Sequence, residues 1–487
     1  MARFEVPDGW VAQAYRFALD PTPGQVRALA SHAGAARFAH NHMLALMKAT
    51  LDQRAAERSY GLTEDDLTPS LGWSLPALRK TWNRRKNTYA PWWGENSKEA
   101  YNTGLDALAR GLDAWTKSRK GKRTGKAVGF PRFKTARHRR SVRFTTGVIR
   151  VERSRHHVTL PRVGMIKTHE STRKLARRVE AGTARILSVT VSQDSAGRWH
   201  VSFQTLVTSK TRPGHTPRSV HPVVGVDVGV KADSLLVIAT PDGTEVGRVP
   251  APRPLTAAQT RLRVLQRKAA RQTGPYNQHT RTKRQPSKRW RRTQARVGKT
   301  HTRAVNVRRD VLHKATTVLA GQHQIITVET LNAAGMRSVG GAYKRGLNRA
   351  LADAALAEVR RMLAYKTRWY GSTLVEADRY YPSSKTCSGC GGRKPNLTLA
   401  ERTYMCEHCG LIIDRDRNAA INLARLGETH LLGEQSPTDS GSVAGRGATR
   451  ETEPAQAGDA GGREASTPHN PHRVDQTGTA VSQVTAA

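Results

Sequence analysis

The chain has 487 residues, and its 81 Lys and Arg against 38 Asp and Glu leave a formal net charge of +43 at pH 7. Apolar residues make up 37% of it, with no run near the ~18 residues of a membrane span, so water-soluble cores inside the cell are expected and a membrane partner is not. So large a basic surplus needs a polyanion as partner, and nucleic acid is the one that fits.

Tyr15 to Leu19 reads as a short strand ending at the turn Asp20-Pro-Thr-Pro23, which also starts a helix. Helical spacing then runs through Leu29, Ala33, Phe38, His42, Leu46 and Met47. It resumes after Pro91-Trp-Trp-Gly94 with Tyr101, Leu105, Leu108, Leu112 and Trp115 on one side. Residues 21–118 are therefore read as a helical lobe whose histidines and tryptophans pack rather than ligate. From Lys117 to Arg150 come thirteen basic residues and no acid. The period changes to two near Gly129: Ser141 to Phe144, Gly147 to Val151, His157 to Leu160 and a hairpin from Arg185 to Val207 about Asp194-Ser-Ala-Gly197. With Tyr15 to Leu19 added, these strands suggest a β-barrel with the helical lobe inserted, spanning residues 1–20 and 119–220.

His221-Pro-Val-Val-Gly-Val-Asp227-Val-Gly229 is an almost wholly apolar strand that ends on one acid. Burial on both faces makes such a carboxylate costly unless something answers its charge. Ser234 to Ala239 and Thr244 to Val249 complete a three-stranded meander. From Arg253 to Arg309 there are eighteen basic residues, again without an acid, which reads as a surface for a nucleic-acid backbone. Gln324 to Asn332 is a second apolar strand ending on an acid, Glu329. An amphipathic helix with Leu347, Leu351, Ala355, Val359 and Leu363 on one face follows, stopped by Gly371, and Ser372 to Glu376 is one more strand. A last helix opens at Asp414-Arg-Asp416 and carries Ala419, Leu423 and Leu426. Residues 433–487 are Ser, Thr, Gly, Ala and Pro with seven acids and four arginines, a composition of disorder.

All four cysteines lie in residues 382–410, as Cys387-Ser-Gly-Cys390 and Cys406-Glu-His-Cys409. Two C-x-x-C pairs fifteen residues apart put two thiolates on each of two tight turns, which completes a tetrahedral S₄ site for structural Zn2+. The strand and helix order over 221–381 and 411–432 makes an α/β core of ribonuclease-H type, with Asp227, Glu329 and either Asp414 or Asp416 as its carboxylates. Hard oxygen ligands suit Mg2+, and two such ions would hydrolyse a phosphodiester.

Gly225-Val-Asp227-Val-Gly229, Val328-Glu329-Thr-Leu-Asn332, Ser383-Ser-Lys-Thr-Cys387-Ser-Gly-Cys390, Cys406-Glu-His-Cys409 and Asp414-Arg-Asp-Arg-Asn-Ala-Ala420 resemble the TnpB family, the OrfB proteins of bacterial insertion sequences. The resemblance covers roughly residues 10–428. It implies a multidomain α+β protein: a wedge-type β-barrel with an inserted helical recognition lobe, then a RuvC-like nuclease domain with a basic helical insertion over 253–320 and an inserted zinc ribbon. It implies an RNA-guided DNA endonuclease, with a guide RNA derived from the element and a target double-stranded DNA carrying an adjacent motif as partners. By motif, Asp227, Glu329 and Asp416 are the catalytic, magnesium-binding acids, with Asp414 the fallback for the third. Cys387, Cys390, Cys406 and Cys409 hold the zinc. A cytoplasmic location on the nucleoid follows. Two rivals are a nuclease-inactive RNA-guided repressor, which would have lost its acids, and a guide-independent DNA-binding protein that assists transposition.

Overall fold

A computed structural model describes residues 5–135, 140–208, 217, 219–277, 280–338, 344–398 and 401–431. The expectation for residues 433–487 lies outside them. The described residues divide into two compact units: those up to Lys210 with Thr260–Arg303, and Thr211–Gln259 with those from Ala304 to Leu431.

The first unit opens with β1 (Trp10–Asp20), then Thr22, whose hydroxyl accepts from the Gln25 N–H while the Gln25 side chain accepts from the Thr22 N–H. This reciprocal cap, with Pro23 in the first turn, launches the 37-residue α1 (Pro23–Ser59). Helices α2 (Leu75–Tyr89) and α3 (Lys98–Arg119) follow. Then come β2 (Ser141–Phe144), β3 (Arg150–Val151), β4 (His157–Leu160), β5 (Gly164–Thr168), α4 (Arg173–Glu180), β6 (Ala184–Gln193) and β7 (Trp199–Thr208). The sheet order is β2-β6-β7-β1-β5-β4-β3, every pair antiparallel. β1 changes partner along its length: Trp10 to Ala18 pair with β7, and Leu19 and Asp20 with β5. Among the described residues no pairing joins β2 to β3, so hydrogen bonds do not close the expected barrel. Strands and helices share one core, in which Phe17, Phe144, Val201 and Phe203 join Met43, Leu44, Leu105 and Leu108.

The second sheet begins with the antiparallel meander β8 (Val223–Val228), β9 (Leu236–Ala239) and β10 (Glu245–Val249). The basic segment then forms α5 (Pro254–Ala257), α6 (Gln259–Ala270), a small hairpin of β11 (Tyr276–Asn277) and β12 (Thr282–Lys283), and α7 (Lys288–Gln322). Next are β13 (Ile325–Glu329), α8 (Ala333–Ser338), α9 (Arg345–Ala354), α10 (Leu356–Tyr370), β14 (Thr373–Ala377), the hairpin β15 (Thr403–Met405) and β16 (Ile412–Asp414), and α11 (Arg415–Leu431). The order is β10-β9-β8-β13-β14, with β13 parallel to both β8 and β14. The single helix expected from Leu347 to Leu363 is instead two, because Ala355 adopts φ 50° between α9 and α10. Asp353, just before this break, accepts from the Leu255 and Thr256 N–H groups, each at 3.0 Å, which ties α9 to the start of α5. An apolar stripe runs through such a break unchanged, so its period cannot reveal it.

Candidate metal centres and nucleic-acid surface

Alternation along β8 sends Val224, Val226 and Val228 into a core with Leu312, Leu319, Met362 and Leu363. Gly225, Asp227 and Gly229 take the other face, under α11. A Cβ on Gly225 would lie 2.0 Å from the Ala420 carbonyl oxygen and 2.3 Å from the Ala424 nitrogen, so only glycine admits the helix there. Gly427 repeats the close approach from the helix side, where a Cβ would lie 2.3 Å from Thr327 Oγ1 on β13. This seating brings Asp416, one turn before Ala420, to the end of β8: a Cβ on Gly229 would be 3.9 Å from Asp416 Oδ2. Glu329 closes β13 one residue beyond Val328, which pairs with Val226, and so stands level with Asp227.

The three acids feel one another. Burial, then the charges of Glu329 and Asp416, hold the Asp227 carboxyl well above the usual range, against the pull of Arg415 and Lys231. Burial also raises Glu329, opposed by a hydrogen bond from the Ser383 hydroxyl and by Arg415. Lys231 Nζ sits 2.7 Å from Asp416 Oδ2 and 3.6 Å from Asp414 Oδ2, and Arg415 Nε lies 3.9 Å from Asp416 Oδ1. An oxygen-only donor set of mutually repelling carboxylates, already drawing an ammonium to itself, fits a divalent cation such as Mg2+.

Asp414 is used differently. Its Oδ1 accepts from the Asp416 and Arg417 N–H groups, both at 3.0 Å, and so caps α11. Burial pushes its carboxyl up, but the Arg417 N–H, Lys231, Arg248 and the Asp416 N–H outweigh that and bring it below the usual range.

The four cysteines form the tighter cluster: among the described residues, only their ligand atoms all lie within 4.8 Å of one another. Cys387 Sγ is 3.6 Å from Cys409 Sγ, as is Cys390 Sγ from Cys406 Sγ, close to the ~3.8 Å edge of a ZnS₄ tetrahedron with 2.3 Å bonds. Backbone N–H groups of Cys409 and His408 bring the Cys406 thiol down to about 6, while burial raises the Cys387 thiol. His408 stands outside the cluster.

Several side chains assigned no role from sequence join the two centres. Asn418, fully buried on α11, accepts from the Ser388 N–H at 2.8 Å and donates to the Thr386 carbonyl at 2.7 Å. One turn later Asn422 donates to the Ser383 and Thr386 carbonyls, both at 2.7 Å. They hold the run from Ser383 into the first knuckle, from which Ser383 reaches Glu329. The available signal was Asn418 and Asn422 at i, i+4 beside an acid.

The basic stretch from Arg253 to Arg309 is one-sided. Every Lys and Arg in it except Arg253 and Arg308 is exposed, while Leu262, Leu265, Ala269, Val297 and Ala304 are buried. Among the described ion pairs only Arg308 of this stretch meets an acid, Asp353 at 3.6 Å.

The sequence is similar to known proteins over nearly its whole length. A family model described as "Probable transposase", of OrfB type, matches residues 203–340, and a "Cas12f1-like, TNB domain" model matches 357–423. A "Helix-turn-helix domain" model matches 11–55, residues that here form β1 and most of α1 rather than two helices. The "Putative RNA-guided DNA endonuclease Rv2885c" of Mycobacterium tuberculosis is 42% identical over 478 residues, 96% of each chain. "Putative RNA-guided DNA endonuclease InsQ" of Escherichia coli is 28% identical over 429 residues, 86% of this chain and 93% of that one. A solved Cas12f1–sgRNA–target DNA complex aligns with a TM-score of 0.41 at 11% identity, over 86% of this chain and 99% of that one. The chain belongs to the TnpB (OrfB) family of transposon-encoded proteins. No described helix is long and apolar enough to cross a membrane.

Proposed function

We propose that the chain is an RNA-guided DNA endonuclease of a transposable element, cutting a target duplex by phosphodiester hydrolysis. The observation that carries this is the meeting of Asp227, Glu329 and Asp416 from two adjacent parallel strands and one helix, with the first two held above the usual carboxylate range by burial and by like charge. Magnesium, when bound there, supplies the charge that activates water and offsets the charge gathering on the phosphate. The chain's own part is rigidity. Asp227 and Glu329 are fixed by the β8–β13 ladder and Asp416 by the seating of α11 on Gly225. The Ser383 hydroxyl engages Oε1 of Glu329, and among the described residues no hydrogen bond engages Oε2. Asp414 caps α11, which supports Asp416 as the third acid.

Zinc on the four thiolates is structural in this reading, holding the run through which Ser383 meets Glu329. The exposed basic face between Arg253 and Arg309 takes the phosphates of a guide–target duplex, where base pairing supplies sequence and the protein need read only shape. Residues 1–20 with 119–220 act as a wedge, 21–118 as a recognition lobe, and 221–381 with 411–432 as the RuvC-like nuclease around the ribbon at 382–410. The test is to express the full chain with its native flanking DNA, sequence the co-purified RNA, and present a duplex matching it with Mg2+. Cleavage that disappears with Asp227→Ala is expected; a complex holding one discrete RNA that never cuts its match would refute the reading.

A further inference from the structure

Lys231 stands in an unusual place for a basic residue of this chain. Most of its Lys and Arg face solvent, but the Lys231 side chain is 17% exposed and its ammonium lies against Asp416, which is 7% exposed. The backbone that carries it is fixed. The Gly229 N–H donates to the Leu235 carbonyl at 2.9 Å, and the Val230 carbonyl accepts from Arg253 Nη2 at 3.0 Å. Only the four-carbon stem is free to move, and an ammonium, unlike a planar guanidinium, gives up one geometry for another readily.

We propose that Lys231 is the resident counter-ion of the carboxylate cluster, and that a divalent ion must displace it from Asp416 in order to load. The inference rests on the metal reading above and adds a competitor to it. Formal charge carries the argument. Asp227, Glu329, Asp416 and Asp414 bring at most four negative charges, and Lys231, Arg415 and Arg248, which lies 3.7 Å from Asp414, already answer three of them. A dication entering beside all three would turn the cluster net positive. Arg415 cannot leave easily, because its Nη1 donates to the Thr398 and Glu401 carbonyls, each at 3.2 Å. Lys231 has no carbonyl partner among its described contacts, only Asp416 and Asp414, so it is the cation that yields. Displaced, it remains tethered two residues beyond Gly229, a positive group at the mouth of the acid cluster where a phosphate arrives. Lys231 is thus a positioning residue that keeps the acids in place before metal binds and sets the metal concentration at which the site fills.

The test is a Mn2+ titration followed by electron paramagnetic resonance on zinc-loaded, nucleic-acid-free full chain, with Asp227→Asn as the blank that defines the acid site. Lys231→Met and Lys231→Gln are expected to tighten Mn2+ at that site about tenfold or more, the scale of one lost charge-assisted hydrogen bond. Both should also lower the melting temperature of the metal-free protein and gain more from Mn2+ than wild type does. Lys231→Arg should stay within threefold of wild type. A Met or Gln variant whose Mn2+ affinity is unchanged or weaker overturns the competitor role while leaving the metal site standing. Wild type with no Asp227-dependent Mn2+ binding overturns both. Should the Met variant fail to fold, the Gln variant, which keeps a polar head beside Asp416, decides.

Discussion

Replacing Gly225 by alanine tests whether the seating of α11 sets the geometry of the acids. The added Cβ would sit 2.0 Å from the Ala420 carbonyl oxygen and 2.3 Å from the Ala424 nitrogen, both helix backbone, which no rotamer change relieves. To regain ordinary contact at 3.4 Å the helix must recede by about 1.4 Å, and Asp416 in its first turn recedes with it. A displacement of about 1 Å at a reacting centre costs on the order of a hundredfold in rate, and overpacking costs about 1–3 kcal/mol in stability. Single-turnover cleavage of a matched duplex at saturating Mg2+ should therefore fall about a hundredfold, with zinc content unchanged because the thiolates lie on their own knuckles. Val224→Ala, on the opposite face of the same strand, should lose stability by a similar amount yet cut at near the wild-type rate. A Gly225→Ala protein that cuts within threefold of wild type would refute the reasoning, whatever its melting temperature.

Asp227→Asn, Glu329→Gln and Asp416→Asn should each abolish cleavage while leaving RNA binding in gel shifts intact. Asp414→Ala should lose only about 1 kcal/mol of stability with cleavage retained, and the reverse pattern at 414 and 416 would exchange their roles. Cys390→Ser should release zinc, read by atomic absorption, and slow cleavage through the Ser383–Glu329 contact; full activity without zinc would break that link. Lys366, donating from α10 to the His313 carbonyl and to Thr316 and Thr317, is brought down by burial to about 8 from 10.5. The unfolded chain then binds more protons between those two values, so stability rises with pH across pH 8 to 10.5. Denaturant melts of wild type and Lys366→Met should diverge there by at most about 3 kcal/mol in favour of wild type; a constant difference would refute it.

Asp227 and Glu329 could be read from the sequence because one acid ending an otherwise apolar strand is conspicuous wherever the strand lies. Asp416 could not be told from Asp414 by residue type, since the two differ in what the first turn of α11 does with them: one carboxylate is taken up by backbone N–H groups and the other is left facing β8. Lys231 was one of 81 basic residues, and only burial against Asp416 sets it apart. Alternation found most strands of the first sheet but says nothing of closure, which depends on pairing between its two ends, and it missed β5, where the apolar residues are too few. The cysteine spacing announced two turns that could hold a metal without saying what they serve. That meaning lies in α11, where Ala420, Ala424 and Gly427 lie against the sheet while Asn418, Asn422 and Arg425 grip the knuckle segment. Both patterns repeat at helical spacing on one helix, so a shift of the cysteine knuckles and a shift of the sheet act on the same element, and Asp416 in its first turn registers either.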